Sequence, residues 1–177
     1  NLTVTDDNGC IAMEIVPVDT IFIVLADAGL DTSLCLNNCL IIQGSGIGPG
    51  GIIYEWNTLP VTTILSTADT LEFCPNTEGF FPFTLTVSDA NCSHTDTIVV
   101  TVNSLPIVDA GPDLDEVIGS FQNIGGAPTG PINSTYYWTP NTYFISLNDT
   151  AASNPEIEMN IILDYIVYVT DTNGCVN

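Results

Sequence analysis

Aspartate, asparagine and cysteine recur together in three short acidic segments of this chain. Asp6-Asp7-Asn8-Gly9-Cys10 and Asp171-Thr172-Asn173-Gly174-Cys175 are nearly identical, and Asp89-Ala90-Asn91-Cys92 lies between them. Thiols can form disulfides, and carboxylate and carboxamide oxygens are the hard ligands that Ca²⁺ prefers. Asp and Asn also close turns by accepting hydrogen bonds from nearby backbone amides. The three segments therefore predict cross-linking, calcium binding or turn formation.

The nearly constant spacing of these segments indicates a tandem repeat. Cys92 lies 82 positions after Cys10, and Cys175 lies 83 positions after Cys92. Two further landmarks recur after 82 positions: Asp27-Ala28-Gly29 as Asp109-Ala110-Gly111, and Tyr54-Glu55-Trp56 as Tyr136-Tyr137-Trp138. We predict the C-terminal strands of a preceding repeat over residues 1–20, a complete repeat over 21–103, and a repeat lacking its last strand over 104–177.

The composition is strongly acidic, with 21 Asp and Glu, no Lys or Arg, one His and a formal net charge of −21. Stability must therefore come from apolar burial, backbone hydrogen bonds and disulfides rather than from salt bridges of Lys or Arg. Nucleic acid is excluded as a partner because phosphates require a basic surface. No apolar run approaches the ~20 residues of a spanning helix, which argues against membrane insertion. Hydrophobic residues make up 45% of the chain, enough for two small cores.

Runs of β-branched and aromatic residues have the length of strands and end in turn residues. Residues 83–88 and 165–170 each precede an acidic turn, and residues 97–102 return after one. Such pairs of runs predict antiparallel hairpins. Because no stretch has a helical apolar period, we predict an all-β fold of tandem immunoglobulin-like sandwiches, with Trp56 and Trp138 in the cores.

The order of these motifs resembles the PKD-like, immunoglobulin-like repeats of giant surface proteins that gliding bacteria export by type IX secretion. The last repeat carries the motifs most fully: Asp109-Ala110-Gly111-Pro112-Asp113, Trp138-Thr139-Pro140, Asn154-Pro155 and Asp171-Thr172-Asn173-Gly174-Cys175. The first repeat departs from them, with Leu30 where Pro is usual and with additional cysteines. The resemblance implies an architecture of immunoglobulin-like sandwich repeats in an extracellular, cell-surface or appendage protein.

The strand order of a seven-strand sandwich limits which cysteines can meet. Cys35 is expected at the end where the second strand begins, and the turn with Cys92 at the opposite end, ~17–20 Å away. Bridged Cα atoms lie within about 7 Å, so these two should not pair. Head-to-tail stacking would place Cys35 beside Cys175, and we predict this inter-repeat disulfide. We also predict a disulfide between Cys39 and Cys74, which fall at the same end of adjacent strands.

Two alternatives to the inter-repeat bond stay open, because connectivity cannot be read from sequence alone. One is a Cys35–Cys92 bridge, if the strand directions differ, and the other is unbonded thiols. Cys10 and Cys92 would otherwise bond to cysteines of preceding repeats.

The calcium hypothesis places oxygen ligands near the repeat boundaries. The ligands would be Asp27, Asp31, Asp89 and Asn91 in one repeat, and Asp109, Asp113, Asp171 and Asn173 in the next. Turn closure by the same side chains is the competing and simpler interpretation.

No catalytic constellation is recognisable, and we predict that the chain is not an enzyme. The single histidine, His94, is expected on an exposed loop, and the two cysteines of Cys35-x-x-x-Cys39 lack the second pair of a zinc site. Short signals for glycosylation are present at Asn133, Asn148, Thr70 and Thr150, with both threonines expected on loops. The two threonine triplets resemble the O-glycosylation signal of the bacterial group that carries such repeats.

The predicted function is structural: a stalk or filament shaft of a long extracellular repeat protein in bacterial surface adhesion, gliding or cell-cell contact. Its partners would be neighbouring repeats of the same chain, with self-association into a filament or bundle. The incomplete repeats would come from a cropped array, or a strand such as residues 12–18 would complete a neighbouring copy. The alternative function is a carbohydrate- or surface-binding module that uses exposed aromatics such as Tyr136, Tyr143 and Phe144 on surface glycans.

Overall fold

A computed structural model describes residues 2–15, 17, 23–60, 63–140, 147–160 and 162–177. Within these ranges the regular secondary structure consists of fifteen β-strands and no helix. No described segment is therefore a helix that is long and apolar enough to cross a membrane.

The first two strands form an exposed hairpin. β1 (Leu2–Thr5) pairs antiparallel with β2 (Ile11–Glu14) around the first acidic turn. Leu2 and Val4 are 60% and 56% exposed, whereas Leu85 and Val87, which lie 83 positions later beside the second acidic turn, are fully buried. The hairpin belongs to neither of the two apolar cores described below.

The first sandwich is built from nine strands. They are β3 (Leu25–Asp27), β4 (Thr32–Cys35), β5 (Leu40–Gln43), β6 (Ser45–Ile47), β7 (Ile53–Thr58), β8 (Ile64–Ser66), β9 (Thr70–Phe73), β10 (Gly79–Ser88) and β11 (Ser93–Asn103). One sheet has the order β4-β11-β10-β7-β8, and the facing layer contains the pairs β3-β6 and β5-β9. All of these pairs are antiparallel except β4 and β11, which run parallel.

Alternation along the strands decides what the first core contains. Successive side chains of a strand point to opposite faces, and Phe83, Leu85 and Val87 on β10 are accordingly buried. Trp56 on β7 is fully buried in the same cluster. Gly44 makes room for the indole, because a Cβ at this position would lie 2.7 Å from Cζ2 of Trp56.

The second sandwich repeats the central pairs of the first. Its described strands are β12 (Phe121–Asn123), β13 (Thr135–Thr139), β14 (Glu156–Glu158) and β15 (Ile166–Thr170). β12 pairs with β14 as β5 does with β9, and β13 pairs with β15 as β7 does with β10. Trp138 is fully buried with Ile124, Ile157, Val167 and Val169.

The two cores and their sheets confirm the predicted all-β class of tandem immunoglobulin-like, PKD-like sandwiches. Both tryptophans lie in the cores, as alternation and spacing predict. The domain boundaries proposed at residues 20 and 103 stay predictions.

Candidate functional site at the disulfide-linked junction

A disulfide joins the two sandwiches. The Sγ atoms of Cys35 and Cys175 are 2.08 Å apart and their Cα atoms 5.5 Å apart, although the residues are separated by 140 positions. Cys35 is half-buried and Cys175 is fully buried. The bond is therefore a sheltered link between the end of β4 and the acidic turn that follows β15.

The parallel pairing of β4 explains why Cys35 lies at this junction. Cys35 is opposite Asn103, the last residue of β11, and the amide of Leu36 donates to the carbonyl of Asn103 at 2.8 Å. Cys92 immediately precedes Ser93, the first residue of β11. The eleven residues of β11 span about 35 Å, so Cys35 and Cys92 occupy opposite ends of one sandwich. The alternative Cys35–Cys92 bridge is accordingly not formed.

The acidic turn orients Cys175 through hydrogen bonds to the Asp171 carboxylate. Oδ1 of Asp171 accepts the amides of Asn173 at 2.8 Å and Cys175 at 2.9 Å. Past the turn, Asn177 exchanges two backbone hydrogen bonds with Val169, and its Nδ2 donates to the carbonyl of Pro106 at 2.9 Å. The turn is thus attached both to β15 and to the segment that follows the first sandwich.

The other two acidic turns have the same local geometry without the cross-link. Oδ1 of Asp6 accepts the amides of Asn8 and Cys10 at 3.0 and 2.8 Å. Cys10 and Cys92 are exposed and unbonded. The predicted bonds of these two cysteines to preceding repeats lie beyond the described residues and stay predictions.

In the second turn the hydrogen bonds affect the acidity of the aspartate. Oδ1 of Asp89 accepts the amides of Asn91 at 2.8 Å and Cys92 at 2.7 Å. These two bonds, that of Asn91 first, lower the pKa of Asp89 from its ordinary value of 3.8. The ionised carboxylate is therefore the form that holds the turn closed.

A second disulfide lies within the first sandwich. The Cα atoms of Cys39 and Cys74 are 4.2 Å apart. Cys39 immediately precedes Leu40 of β5 and Cys74 immediately follows Phe73 of β9, and Leu40 and Phe73 are paired opposite each other. Glu72 lies near both sulfurs, and this trio is the one group of three metal-type side chains among the described residues. Its two sulfurs are bonded to each other, so the trio does not constitute a thiolate metal site.

The proposed calcium ligands are dispersed among turns and strands. Oδ1 of Asp27 accepts the amide of Gly29, and Oδ1 of Asp109 accepts that of Gly111, each at 2.9 Å. Oδ1 of Asp31 accepts the amide of Val99 on β11 at 2.8 Å. Asp113 lines a groove of the second sandwich. In the described part of the chain no three of these carboxylates come within ligating distance of one another, so calcium binding stays a prediction without a defined geometry.

The glycosylation signals differ in their surroundings. Thr70 is the first residue of β9 and is partly buried, so its expected position on a loop is wrong. Thr150 lies in a turn, where its carbonyl accepts the amide of Trp138. Asn133 is exposed in a turn, and Asn148 is exposed with its Oδ1 accepting the amide of Glu156. Asn133 and Asn148 are therefore more accessible than the two partly buried threonines, and modification itself stays a prediction.

His94 is exposed, but it is on β11 rather than on the expected loop. Its Nδ1 accepts the amide of Ala26 at 3.0 Å, and Oδ2 of Asp96 accepts that of Ala28 at 2.8 Å. The imidazole thus has a structural partner on β3. This role was not visible in the sequence because the partner amide is 68 positions away.

The aromatic residues of the alternative function are placed differently from the prediction. Tyr136 is half-buried against the second core rather than exposed. Tyr143 and Phe144 lie outside the described residues. Tyr137 and Tyr168, which the prediction missed, are 51% and 44% exposed and stack with ring centroids 6.3 Å apart. Alternation with the buried Trp138 could have identified Tyr137 as outward-facing.

The paired cores and the cross-linked junction define the chain as a tandem β-sandwich module of the immunoglobulin-like type. No protein-family model matches the sequence, and no curated protein matches it.

Solved structures with a similar fold include single and paired immunoglobulin-like domains. The PKD domain of human KIAA0319 is 21% identical with a TM-score of 0.40, covering 52% of this chain and 88% of that one. The titin domains z1z2, in complex with telethonin, are 10% identical with a TM-score of 0.44, covering 90% and 95% of the two chains. DIP-gamma IG1+IG2 is 12% identical with a TM-score of 0.41, covering 89% and 92%. At these identities the similarity is one of fold.

Proposed function

We propose that this chain is a non-enzymatic structural segment, a stalk or filament shaft, of a long extracellular bacterial repeat protein in surface adhesion, gliding or cell-cell contact. The observation that supports it most is the disulfide between Cys35 and Cys175, because it joins two successive sandwiches rather than stapling one. Disulfides persist in oxidising compartments, which supports an extracellular location. The resemblance of the acidic turns to repeats exported by type IX secretion supports the bacterial context.

The inter-repeat bond has a direct mechanical consequence. Tension applied to the two ends of the chain passes from Cys35 through the sulfurs to Cys175, and the residues between them cannot be extended. These residues are 139 in number, since the two cysteines are separated by 140 positions. At about 3.3–3.6 Å for each extended residue, the bond withholds roughly 460–500 Å of contour length. A stalk that carries tension therefore gains no length from the residues between the two cysteines, even if both sandwiches unfold.

The charge suits an extended shaft better than a compact aggregate. The formal net charge of −21 contains no contribution from Lys or Arg, so separate copies repel one another at low ionic strength. Self-association into a bundle would therefore require screening by salt or bound cations.

Single-molecule pulling on the chain through terminal handles tests the mechanical role. Without reductant, the total contour gain should come only from residues outside the Cys35–Cys175 loop, whereas reductant should add the withheld length of roughly 460–500 Å. A variant with Cys39→Ala and Cys74→Ala is the matched control, because it removes a disulfide but leaves the inter-repeat bond. Equal contour gains with and without reductant in this control would contradict the proposal. Electron microscopy of the native assembly should then show a periodic fibre.

A carbohydrate- or surface-binding module is the second candidate, and the exposed Tyr137–Tyr168 stack favours it. Tyrosine rings present a broad apolar face with a polar tip, which suits contact with a partly wet ligand. Glycan-array binding that disappears on Tyr137→Ala, but persists on Tyr54→Phe in the first sandwich, would favour this function. If neither the unsubstituted chain nor the Tyr54→Phe variant binds any glycan, this second function is excluded.

A further inference from the structure

The outer face of the β5-β9 pair carries three side chains with metal-ligating atoms. Cys39, Glu72 and Cys74 are exposed, and their sulfur and carboxylate atoms lie within 4.8 Å of one another. Glu72 and Cys74 are two positions apart, so strand alternation directs both side chains away from the core. Cys39 reaches the same place from the neighbouring strand, because it immediately precedes Leu40, which is paired with Phe73. The three groups therefore converge on one exposed patch of the first sandwich.

The second sandwich shows that the fold does not require a cross-link at this position. β12 pairs with β14 as β5 pairs with β9. Phe121 lies 82 positions after Cys39 and is paired with Glu158, so a phenylalanine and a carboxylate stand where the first sandwich has its two sulfurs. From residue 104 onward the only cysteine is Cys175. The sulfur pair is therefore a feature of one sandwich and not of the fold.

The two disulfides of the chain differ in their exposure. Cys39 and Cys74 are both exposed, whereas Cys35 is half-buried and Cys175 is fully buried. Reduction begins when a thiolate approaches a sulfur of the disulfide, and exposed disulfides are the labile ones. A small dithiol should therefore reduce the Cys39–Cys74 bond before it reduces the bond at the junction.

The reduced cysteines have a spacing that suits a zinc ion. Zn²⁺ binds thiolate sulfur at about 2.3 Å and carboxylate oxygen at about 2.0–2.2 Å, in tetrahedral geometry. Two sulfurs on one tetrahedral zinc are therefore roughly 3.8 Å apart. Cysteines whose Cα atoms are 4.2 Å apart provide this separation by side-chain rotation. Glu72 supplies a third ligand and water a fourth, and the formal net charge of −21 favours the approach of a cation.

We propose that Cys39, Glu72 and Cys74 bind a thiophilic divalent cation such as Zn²⁺ once a small dithiol has reduced the Cys39–Cys74 disulfide. While the sulfurs are bonded to each other they are not ligands. In the reduction the S–S bond breaks, the dithiol gives two electrons and two protons, and it leaves as its own disulfide. Zn²⁺ then replaces the two thiol protons, which pass to water. The metal restores the cross-link between β5 and β9, and this site does not depend on the stalk function.

Metal binding to the reduced chain tests the site. Cys10→Ser and Cys92→Ser first remove the two exposed free thiols. The chain is reduced with dithiothreitol, the reductant is removed without oxygen, and Co²⁺ is added as the probe because its bonds to thiolates absorb in the near ultraviolet. About one Co²⁺ per chain should bind, and Zn²⁺ should displace it. Absence of the thiolate absorption would overturn the proposal.

Alkylation of the same reduced sample checks the order of reduction. Cys39 and Cys74 should be modified while Cys35 and Cys175 stay bonded to each other. Modification of Cys175 at the same rate as that of Cys39 would overturn the selective reduction on which the site depends.

Substitution of the ligands identifies the site. The Cys39→Ser, Cys74→Ser variant, treated in the same way, should show no thiolate absorption with Co²⁺. Glu72→Gln keeps the size of the side chain and should weaken the affinity for Zn²⁺ by at least about tenfold. Glu156→Gln, at the corresponding position of β14, is the matched control and should leave the affinity unchanged. Equal affinities in these two variants, or Co²⁺–thiolate absorption that persists without the two cysteines, would overturn the assignment. Zn²⁺ should also raise the thermal midpoint of the reduced chain.

Discussion

Cys35 is bonded to Cys175, 140 positions away, while Cys92, which ends the equivalent acidic turn of the first sandwich, is unbonded and exposed. The same kind of turn therefore carries a bonded cysteine in one sandwich and an unbonded cysteine in the other. The difference is whether the fold places a second cysteine next to the turn. The bonded cysteine is fully buried at the junction, and the unbonded one is at the far end of β11.

The two disulfides should differ in whether they stabilise the second sandwich. Cys35→Ala with Cys175→Ala removes a link that spans 140 positions and is expected to lower the unfolding free energy of the second sandwich by up to about 5 kcal/mol. Cys39→Ala with Cys74→Ala should affect only the first sandwich, by up to about 4 kcal/mol. Urea unfolding in a Trp56→Phe background reports the second sandwich through Trp138. The assignment would be reversed if the second sandwich, reported by Trp138, lost stability in the Cys39→Ala, Cys74→Ala variant but not in the Cys35→Ala, Cys175→Ala variant.

Two thiols should be available in the native, oxidised protein. Cys10 and Cys92 are exposed and unbonded, whereas the other four cysteines form the two disulfides. Alkylation under native, non-reducing conditions should modify these two residues and no others. Because the chain has no Lys or Arg, the modified peptides are released by a protease that cleaves at acidic residues. Alkylated Cys35 or Cys175 would contradict the junction.

Acidification should weaken the first sandwich partly through Asp89. Backbone amides of Asn91 and Cys92 hold the pKa of Asp89 below its ordinary value of 3.8. The stabilisation is therefore present above the unfolded-state pKa and is lost as the pH falls through the lower folded-state pKa. Asp89→Asn keeps an oxygen acceptor without the titration, so its urea midpoint should fall less than that of the wild type between about pH 5 and pH 2. Equal falls of the urea midpoint in the wild type and in Asp89→Asn would show that the Asp89 carboxylate does not contribute to the loss of stability in acid.

The two core tryptophans should respond differently to removal of the indole N–H. Nε1 of Trp138 donates to the carbonyl of Ala152 at 3.1 Å, whereas Nε1 of Trp56 has no partner among the described residues. Trp→Phe also removes apolar volume, at a similar cost at both sites. Trp138→Phe should therefore be more destabilising than Trp56→Phe by about 1 kcal/mol, measured by chemical denaturation followed by circular dichroism. Equal losses would mean that the hydrogen bond contributes nothing net.

Strand identity was predictable because alternation is a local property. Phe83, Leu85 and Val87 are spaced by two, and a strand necessarily directs them to one face. The tryptophans were equally predictable, because each recurs at the same place in the period. The strand order also indicated which cysteines lie at the same end, although register was needed to bring Cys39 opposite Cys74.

The sequence by itself determined the repeat period, the all-β class and the tryptophan of each core, because these depend on the spacing of residues along the chain. Only the tertiary structure decided the partners of the polar side chains. Asp31 reaches the amide of Val99 and His94 that of Ala26, each 68 positions away, because β11 lies beside both β3 and β4. The same long-range packing separated the proposed calcium ligands and brought Tyr137 against Tyr168. A local pattern states which way a side chain points, but not which distant strand it meets.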